Sequence, residues 1–191
     1  MESFLISTGV VALAEVGDKT QLLSFVLAAR FRRSVPIILG ILVATLANHA
    51  MAGGIGAWFS ELLSAEALGW ILGVSFLAMA IWILIPDELD AVDTKLTQLG
   101  VFGTTVVAFF VAEMGDKTQI ATMALAAQYP DLVAVVAGTT LGMMLANVPA
   151  VIFGERVVRR VSVRLVHGVS AVIFAALGIV TLYGVWQGAL N

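Results

Sequence analysis

Ala14-Glu15-Val16-Gly17-Asp18-Lys19-Thr20-Gln21 occurs twice in this sequence, and the fold class follows from what surrounds the two copies. The second copy, Ala112-Glu113-Met114-Gly115-Asp116-Lys117-Thr118-Gln119, differs from the first only at its third position. Each copy places two carboxylates and one ammonium group in the middle of a long apolar segment. Charge near the centre of a bilayer costs several kcal/mol, so these residues indicate a functional site.

The composition is that of an integral membrane protein. Of the 191 residues, 60% are hydrophobic and 12% are charged, whereas about 25% are charged in a soluble domain. The chain has no cysteine, which excludes disulfides, thiolate metal ligands and cysteine nucleophiles. The net charge of −3 does not indicate nucleic-acid binding, and the segment after Met1 is not expected to be a cleaved signal peptide.

Six apolar runs are long enough to cross the ~30 Å hydrocarbon core of a bilayer, which takes about 20 helical residues. We therefore predict an all-α integral membrane protein with six transmembrane helices and the lipid bilayer as its environment. The predicted helices cover residues 4–29, 35–59, 67–85, 101–127, 132–153 and 165–187.

The basic residues predict the orientation of these helices. The loops after predicted helices 1, 3 and 5 contain every Lys and Arg outside the repeated motif: Arg30, Arg32, Arg33, Lys95, Arg156, Arg159, Arg160 and Arg164. Because cytoplasmic loops are enriched in Lys and Arg, we expect both termini to lie outside the cytoplasm. The expected location is a bacterial inner membrane, which the chain crosses several times.

The two halves of the chain are copies of one three-helix unit. Beyond the motif, Gly40 matches Gly138, and after a one-residue slip Asn48 matches Asn147. A unit with an odd number of helices enters the membrane from opposite sides in its two copies, as in inverted-repeat transporters. We predict one transmembrane domain over residues 1–191, with repeat one at 1–86, repeat two at 100–191 and an acidic cytoplasmic loop at 87–99.

The spacing inside each motif permits two local structures. In a continuous helix, residues at i, i+3 and i+4 share a face, so Glu15, Asp18 and Lys19 would project together, as would their counterparts Glu113, Asp116 and Lys117. Alternatively, the glycine between the acids loosens the helix and exposes carbonyl groups. The neutral oxygens of Thr20, Gln21, Thr118 and Gln119 would lie one turn further on in either case.

Four carboxylates and two lysines give a net charge of −2 when all are ionised, which matches one divalent cation or two protons. Oxygen ligands without thiolate favour hard ions such as Ca²⁺, Mn²⁺ or Mg²⁺. Lys19 and Lys117 would compensate part of the negative charge. We expect the same acids to bind a metal ion facing one side of the membrane and protons facing the other.

Two copies of Glu-x-Gly-Asp-(Lys/Arg)-(Thr/Ser) in a six-helix protein resemble the cation/proton antiporter family. That family includes the Golgi manganese and calcium transporters and the MneA-type bacterial manganese exporters, and the resemblance covers essentially the whole chain. It implies a secondary transporter that exports Mn²⁺ or Ca²⁺ in exchange for protons, with no resident cofactor. By direct match of the motifs, it implies Glu15, Asp18, Glu113 and Asp116 as cation-binding residues.

Several polar residues outside the motif have two interpretations. Asn48 and Asn147 occupy matching positions, and each is either a ligand or supporting residue of the site or a structural hydrogen-bonding residue between helices. His49, whose counterpart is Val148, is either a proton relay or a packed polar residue. The small-residue pairs Gly69/Gly73 and Gly138/Gly142 permit close helix packing within the chain or in a homodimer.

Two other functions use some of the same residues. A divalent cation channel would need similar acids but has less need of inverted repeats and buried lysines. An intramembrane aspartyl enzyme would use Asp18 and Asp116 but would not need duplicated glutamates and lysines. A transporter accounts for all of these features, and we do not expect an enzyme.

The predicted orientation can be tested by labelling, because the chain contains no cysteine of its own. Single cysteines introduced by Ser64→Cys and Thr94→Cys should react with membrane-impermeant maleimides from opposite sides of the membrane. The reason is that predicted helix 3 lies between the two positions. Labelling of both cysteines from the same side would contradict the six-helix topology.

Overall fold

A computed structural model describes residues 1–85, 98–153 and 163–189. Eight α-helices account for almost all of the described chain, which confirms the all-α class. They are α1 (Glu2–Glu15), α2 (Lys19–Phe31), α3 (Ser34–Leu62), α4 (Ala65–Trp82), α5 (Gly100–Glu113), α6 (Lys117–Gln128), α7 (Leu132–Phe153) and α8 (Val163–Ala189). The predicted acidic loop falls mostly outside the described residues, as do Lys95, Arg156, Arg159 and Arg160.

Four of the described helices are long and apolar enough to cross a membrane. They are Ser34–Leu62, Ala65–Trp82, Leu132–Phe153 and Arg164–Gly188, and they coincide with predicted helices 2, 3, 5 and 6. Their apolar surface faces outward as well as inward, as lipid contact requires. The chain is therefore a multi-pass membrane protein.

Predicted helices 1 and 4 are each divided into two shorter helices. The helix is interrupted between α1 and α2 and again between α5 and α6, both times inside the repeated motif. The four pieces have 12 to 14 residues, which is roughly 20 Å of helix and less than a bilayer core. Of the two local structures that the sequence permitted, the continuous helix is wrong and the interruption at the glycine is what the structure has.

Packing contacts recur in the two halves of the chain. Gly40 of α3 lies against α5, where an added Cβ would come within 2.7 Å of Thr105 Cβ. The matching Gly138 of α7 lies against α1, where an added Cβ would meet the carbonyl of Phe4 and, at 3.1 Å, Cβ of Ser7. Since Ser7 is the counterpart of Thr105, these two contacts are equivalent. They place α1 beside α7 and α5 beside α3.

Helices α4 and α8 form a second packed pair. Gly69 and Gly73 of α4 face Val185 and Leu182 of α8, and a Cβ on either glycine would collide with those side chains. Phe76 stacks on a phenylalanine of α8, Phe174, with ring centroids 6.4 Å apart. Both small-residue pairs are thus used for packing within the chain. The homodimer stays a prediction.

Candidate metal site between two helix breaks

The first helix break is a tight turn over Glu15–Asp18. Val16 has φ −65° and ψ 118°, and Gly17 has φ 85°. The amide of Asp18 donates to the carbonyl of Glu15 at 3.1 Å. These values describe a type II turn, whose third residue needs a positive φ that glycine adopts without strain.

The second break has the same geometry. Met114 has φ −62° and ψ 121°, Gly115 has φ 74°, and the amide of Asp116 donates to the carbonyl of Glu113 at 3.1 Å. Because the chain turns here, Glu113 ends one helix while Asp116 begins the next. The acids of one motif therefore do not share a helix face, and the glycine divides the helix.

The glutamines of the motif stabilise these turns. Oε1 of Gln21 accepts from the amide of Gly17 at 3.0 Å, and Oε1 of Gln119 accepts from the amide of Gly115 at 2.8 Å. Each glutamine is the third residue of its helix, so this contact resembles one half of a capping box. Both amide oxygens point at the turns in this structure and are not directed at the carboxylates.

Two ion pairs connect the breaks. Lys19 Nζ lies 3.0 Å from Asp116 Oδ1, and Lys117 Nζ lies 3.2 Å from Asp18 Oδ1. Each lysine thus pairs with the aspartate of the other repeat. The pairs differ in burial, since the Lys19 side chain is 22% exposed and that of Lys117 only 4%.

Three carboxylates converge between these ion pairs. One oxygen each of Glu15, Glu113 and Asp116 lies within 4.8 Å of the other two. Both glutamates are completely buried, and Asp116 nearly so. The two motifs therefore form one shared group of acids. Asp18 lies outside this group of three and contacts Lys117.

Among the described residues, each glutamate accepts a hydrogen bond from one donor, and the two donors are of different kinds. Glu15 Oε1 accepts from Nδ2 of Asn147 at 3.1 Å. Glu113 Oε2 accepts from Oγ1 of Thr118 at 2.9 Å. The second oxygen of each glutamate is buried without a hydrogen-bond partner among the described residues. Such oxygens are available to a cation or a proton.

Asn147 and Asn48, matched in the repeat, have different surroundings. Asn147 contacts the acid cluster directly, as described above. Nδ2 of Asn48 instead donates to the carbonyl of Phe110 at 3.1 Å, and its Oδ1 has no hydrogen-bond partner in the described part of the chain. His49 is fully buried, and neither ring nitrogen has a hydrogen-bond partner among the described residues.

The structure adds three residues that the sequence analysis did not assign to the site. Ser24 donates to Oδ1 of Asn147 at 2.7 Å, and the sulfur of Met143 lies 3.0 Å from Nδ2 of the same amide. His167 of α8 forms a 2.8 Å hydrogen bond with the carbonyl of Val16 inside the first turn. The match between Ser24 and Thr122 in the repeat could have indicated that Ser24 belongs to the site. Met143 and His167 have no polar or sulfur-containing counterpart in the other repeat, so no such signal existed for them.

The sequence matches the family model described as "Divalent cation/proton antiporter GDT1" over residues 3–91 and again over residues 101–189. The chain belongs to this family. Membership in the GDT1 family confirms the resemblance found in the two motifs. It assigns the protein to divalent cation transport and not to an enzyme class.

Relatives of the GDT1 family match almost the full chain. A Vibrio cholerae protein named "Putative manganese exporter" is 50% identical over 184 residues, which cover 96% of this chain and 92% of that protein. GDT1-like protein sll0615 of Synechocystis is 30% identical, with 90% and 92% covered. GDT1-like protein 3 of Oryza sativa is 26% identical, with 93% and 72% covered. No solved structure matches the chain.

The positive φ of Gly115 can be tested without a steric clash, because an added Cβ would meet nothing within 4 Å. We expect Gly115→Ala to lower the free energy of unfolding by about 1 kcal/mol, since an L-residue is strained in this conformation. Gly115→Asn should recover part of the loss, because Asn tolerates positive φ better than Ala does. The measurement is thermal unfolding in detergent.

Gly54→Ala is the matched control. Gly54 lies inside α3, and a Cβ there also meets nothing within 4 Å. The substitution should leave stability unchanged or raise it, because Ala favours helix. Equal melting temperatures for Gly115→Ala and Gly54→Ala would contradict the turn.

Proposed function

We propose that this protein is a secondary transporter that exchanges a divalent cation, Mn²⁺ or Ca²⁺, for protons at a carboxylate site near the membrane midplane. The proposed direction is export of the cation from the cytoplasm. The observation that carries the proposal is the convergence of Glu15, Glu113 and Asp116 between two crossed ion pairs. The manganese exporter named among the relatives supports Mn²⁺ as the first ion to test.

The charges of the site favour exchange. Each aspartate is neutralised by a lysine of the other repeat, so two negative charges remain on the buried glutamates. Two carboxylates this close in a low-dielectric site repel each other strongly unless a cation or a proton lies with them. One divalent cation or two protons satisfies the same charge, and the two kinds of ligand therefore compete.

The proposed ligands are the four motif acids, in two roles. Glu15, Glu113 and Asp116 are the set that this conformation brings together. Asp18 joins the set when its pair with Lys117 opens, in the position that Asp116 occupies here. Carboxylate oxygens suit Mn²⁺ and Ca²⁺, and water molecules would complete the coordination.

The proposed scaffold is six membrane spans arranged as two inverted three-helix repeats. In this scheme α1 with α2 and α5 with α6 are two broken spans that meet at their breaks. The equivalent contacts at Gly40 and Gly138 support the duplication, as does the double match to the family model. Broken helices whose ends point at an ion are typical of transporters of this kind.

A channel is the alternative that uses the same acids. An open pore would expose its acidic ring to water, but the carboxylates of Glu15 and Glu113 are fully buried here. The crossed ion pairs also join the two halves across the site. An occluded site of this kind favours a carrier.

The test is ion flux in proteoliposomes that hold purified protein and a pH-sensitive dye. An inward Mn²⁺ gradient should drive protons outward, and an imposed pH gradient should drive Mn²⁺ uphill. The same experiment with Ca²⁺ compares the two ions. Downhill Mn²⁺ flux that cannot be driven by a pH gradient would reject exchange and support the channel.

We expect Asp18→Asn and Asp116→Asn each to abolish coupled flux, because each variant removes a negative charge and a proton-binding group from the site. Lys19→Gln and Lys117→Gln should instead tighten metal binding and slow release, since they make the site more negative. Both effects would be measured as proton-coupled Mn²⁺ and Ca²⁺ flux at matched protein content. Glu66→Gln, an exposed acid at the start of α4, is the control and should behave as wild type.

The double variant Asp18→Asn/Lys117→Gln separates ligation from charge balance. Removing one partner of a buried ion pair destabilises a protein by about 3–5 kcal/mol, whereas removing both is often tolerated. The double variant should therefore regain thermal stability but not coupled flux. Wild-type flux in it would show that Asp18 serves only to neutralise Lys117.

A further inference from the structure

The two halves of the site use different donors for equivalent glutamates. Glu15 is held by Asn147 of α7, and Glu113 is held by Thr118 of its own motif. If the two halves were in the same state, the two glutamates would accept hydrogen bonds from the same kind of donor. The structure thus records two non-equivalent states of one repeated unit.

The counterparts of the two donors are buried, and neither has a hydrogen bond to a glutamate in the described part of the chain. Thr20 matches Thr118, and its hydroxyl is completely buried without a hydrogen-bond partner among the described residues. Asn48 matches Asn147, and its Oδ1 is likewise buried and unpartnered. Leaving such groups unbonded in a low-dielectric interior is costly. Their burial therefore requires an explanation.

By repeat symmetry, the acceptor that the Thr20 hydroxyl lacks is Glu15. The donor that Oδ1 of Asn48 lacks is Thr122, the counterpart of the Ser24 that donates to Oδ1 of Asn147. The motif of Thr20 is that of Glu15, whose Oε2 has no partner among the residues described. Oε1 of Glu113 also has no hydrogen-bond partner among the described residues. By repeat symmetry, Glu113 is the glutamate that Asn48 would hold. The unused Thr20 hydroxyl thus corresponds to the unused oxygen of Glu15. Nδ2 of Asn48, which here donates to the carbonyl of Phe110, corresponds to the unused oxygen of Glu113.

Neighbouring contacts follow the same asymmetry. Ser24 donates to Asn147 and Gln21 donates to the carbonyl of Ala146, which ties α2 to α7. The counterpart of Ser24, Thr122, donates to the carbonyl of Thr118 within its own helix. The aspartates differ as well, because Asp116 lies with the two glutamates and Asp18 does not.

We propose that Thr20 and Asn48 are positioning residues that hold Glu15 and Glu113 in the opposite access state of the transport cycle. This inference rests on the proposed exchange function, in which the site opens alternately to the two sides. In the opposite state the Thr20 hydroxyl donates to Glu15 and the Asn48 amide donates to Glu113. Thr118 and Asn147 release the glutamates at the same step, and Asp18 replaces Asp116 beside them.

The exchange keeps the number of hydrogen bonds to the glutamates constant. Each state has one hydroxyl and one amide donor on the pair, so neither state leaves a glutamate without a donor. Two states with equal sets of contacts differ little in free energy, and a bound cation or proton can then shift the population between them. The repeat symmetry provides this balance.

The test compares Thr20→Val with Thr118→Val, the same isosteric change at matching positions. Thr118→Val removes a contact of the present state and should shift the protein towards the opposite state, and Thr20→Val should do the reverse. The apparent affinity for Mn²⁺ measured from the two sides of proteoliposomes should therefore change in opposite directions. The ratio of the two affinities should differ between the variants by roughly tenfold or more, since a hydrogen bond to a charged group is lost.

A second pair and a conservative variant keep the test independent of folding defects. Asn48→Ala and Asn147→Ala should show the same opposition, and Thr20→Ser should restore the wild-type ratio because it restores the hydroxyl. Equal weakening of Mn²⁺ binding on both sides by both threonine variants would overturn the proposal. That result would make the threonines metal ligands that play the same part in both states.

Hydrogen exchange of the backbone amides supplies a readout that does not require flux. Thr118→Val should speed amide exchange in residues 19–31, because Ser24 and Gln21 would lose their hydrogen bonds to α7. Thr20→Val should slow amide exchange in the same residues. If wild-type protein shows no cation/proton exchange while these opposite responses persist, the proposed function fails and the positioning roles stand. Identical exchange in the two variants would overturn the positioning roles, whatever the flux.

Discussion

The crossed ion pairs are the contacts on which the rest of the site depends. Lys19 pairs with Asp116 and Lys117 with Asp18, so each repeat neutralises the other. An isolated repeat would bury an aspartate and a lysine without these partners, at a cost of several kcal/mol for each charge. The ion pairs thus require the two helix breaks to lie side by side. This arrangement brings Glu15 and Glu113 together.

The helix breaks contribute to the electrostatics as well as to the geometry. Asp18 and Asp116 each occupy the N-cap position of the helix that follows the turn, where unsatisfied amide groups and the helix dipole favour negative charge. In a continuous helix those amides would be bonded to carbonyls one turn earlier. The spacing of the acids alone would not provide this stabilisation, whereas the glycine between them provides it by turning the chain.

The sequence predicted which residues meet and missed how they meet. The duplicated motif was sufficient to predict that acids of the two copies meet, whereas Asp18, which it grouped with the other three, pairs with Lys117 outside them. It could not decide between a helical face and a turn, since Gly17 and Gly115 are compatible with both. Nor could it show that Gln21 caps a turn or that Ser24 contacts Asn147, because these contacts depend on the angle between helices.

The two halves of the site differ although their motifs are copies of one sequence. A fully symmetric arrangement would present both glutamates with identical donors and would have no reason to favour either side of the membrane. Here Asn147 serves one half and Thr118 the other, while Thr20 and Asn48 are left with unused polar atoms. A duplicated sequence therefore stores two conformations of one unit at the same time. In the proposed cycle, interchanging them reverses the direction of access, and each new hydrogen bond is the repeat counterpart of one that the chain already makes.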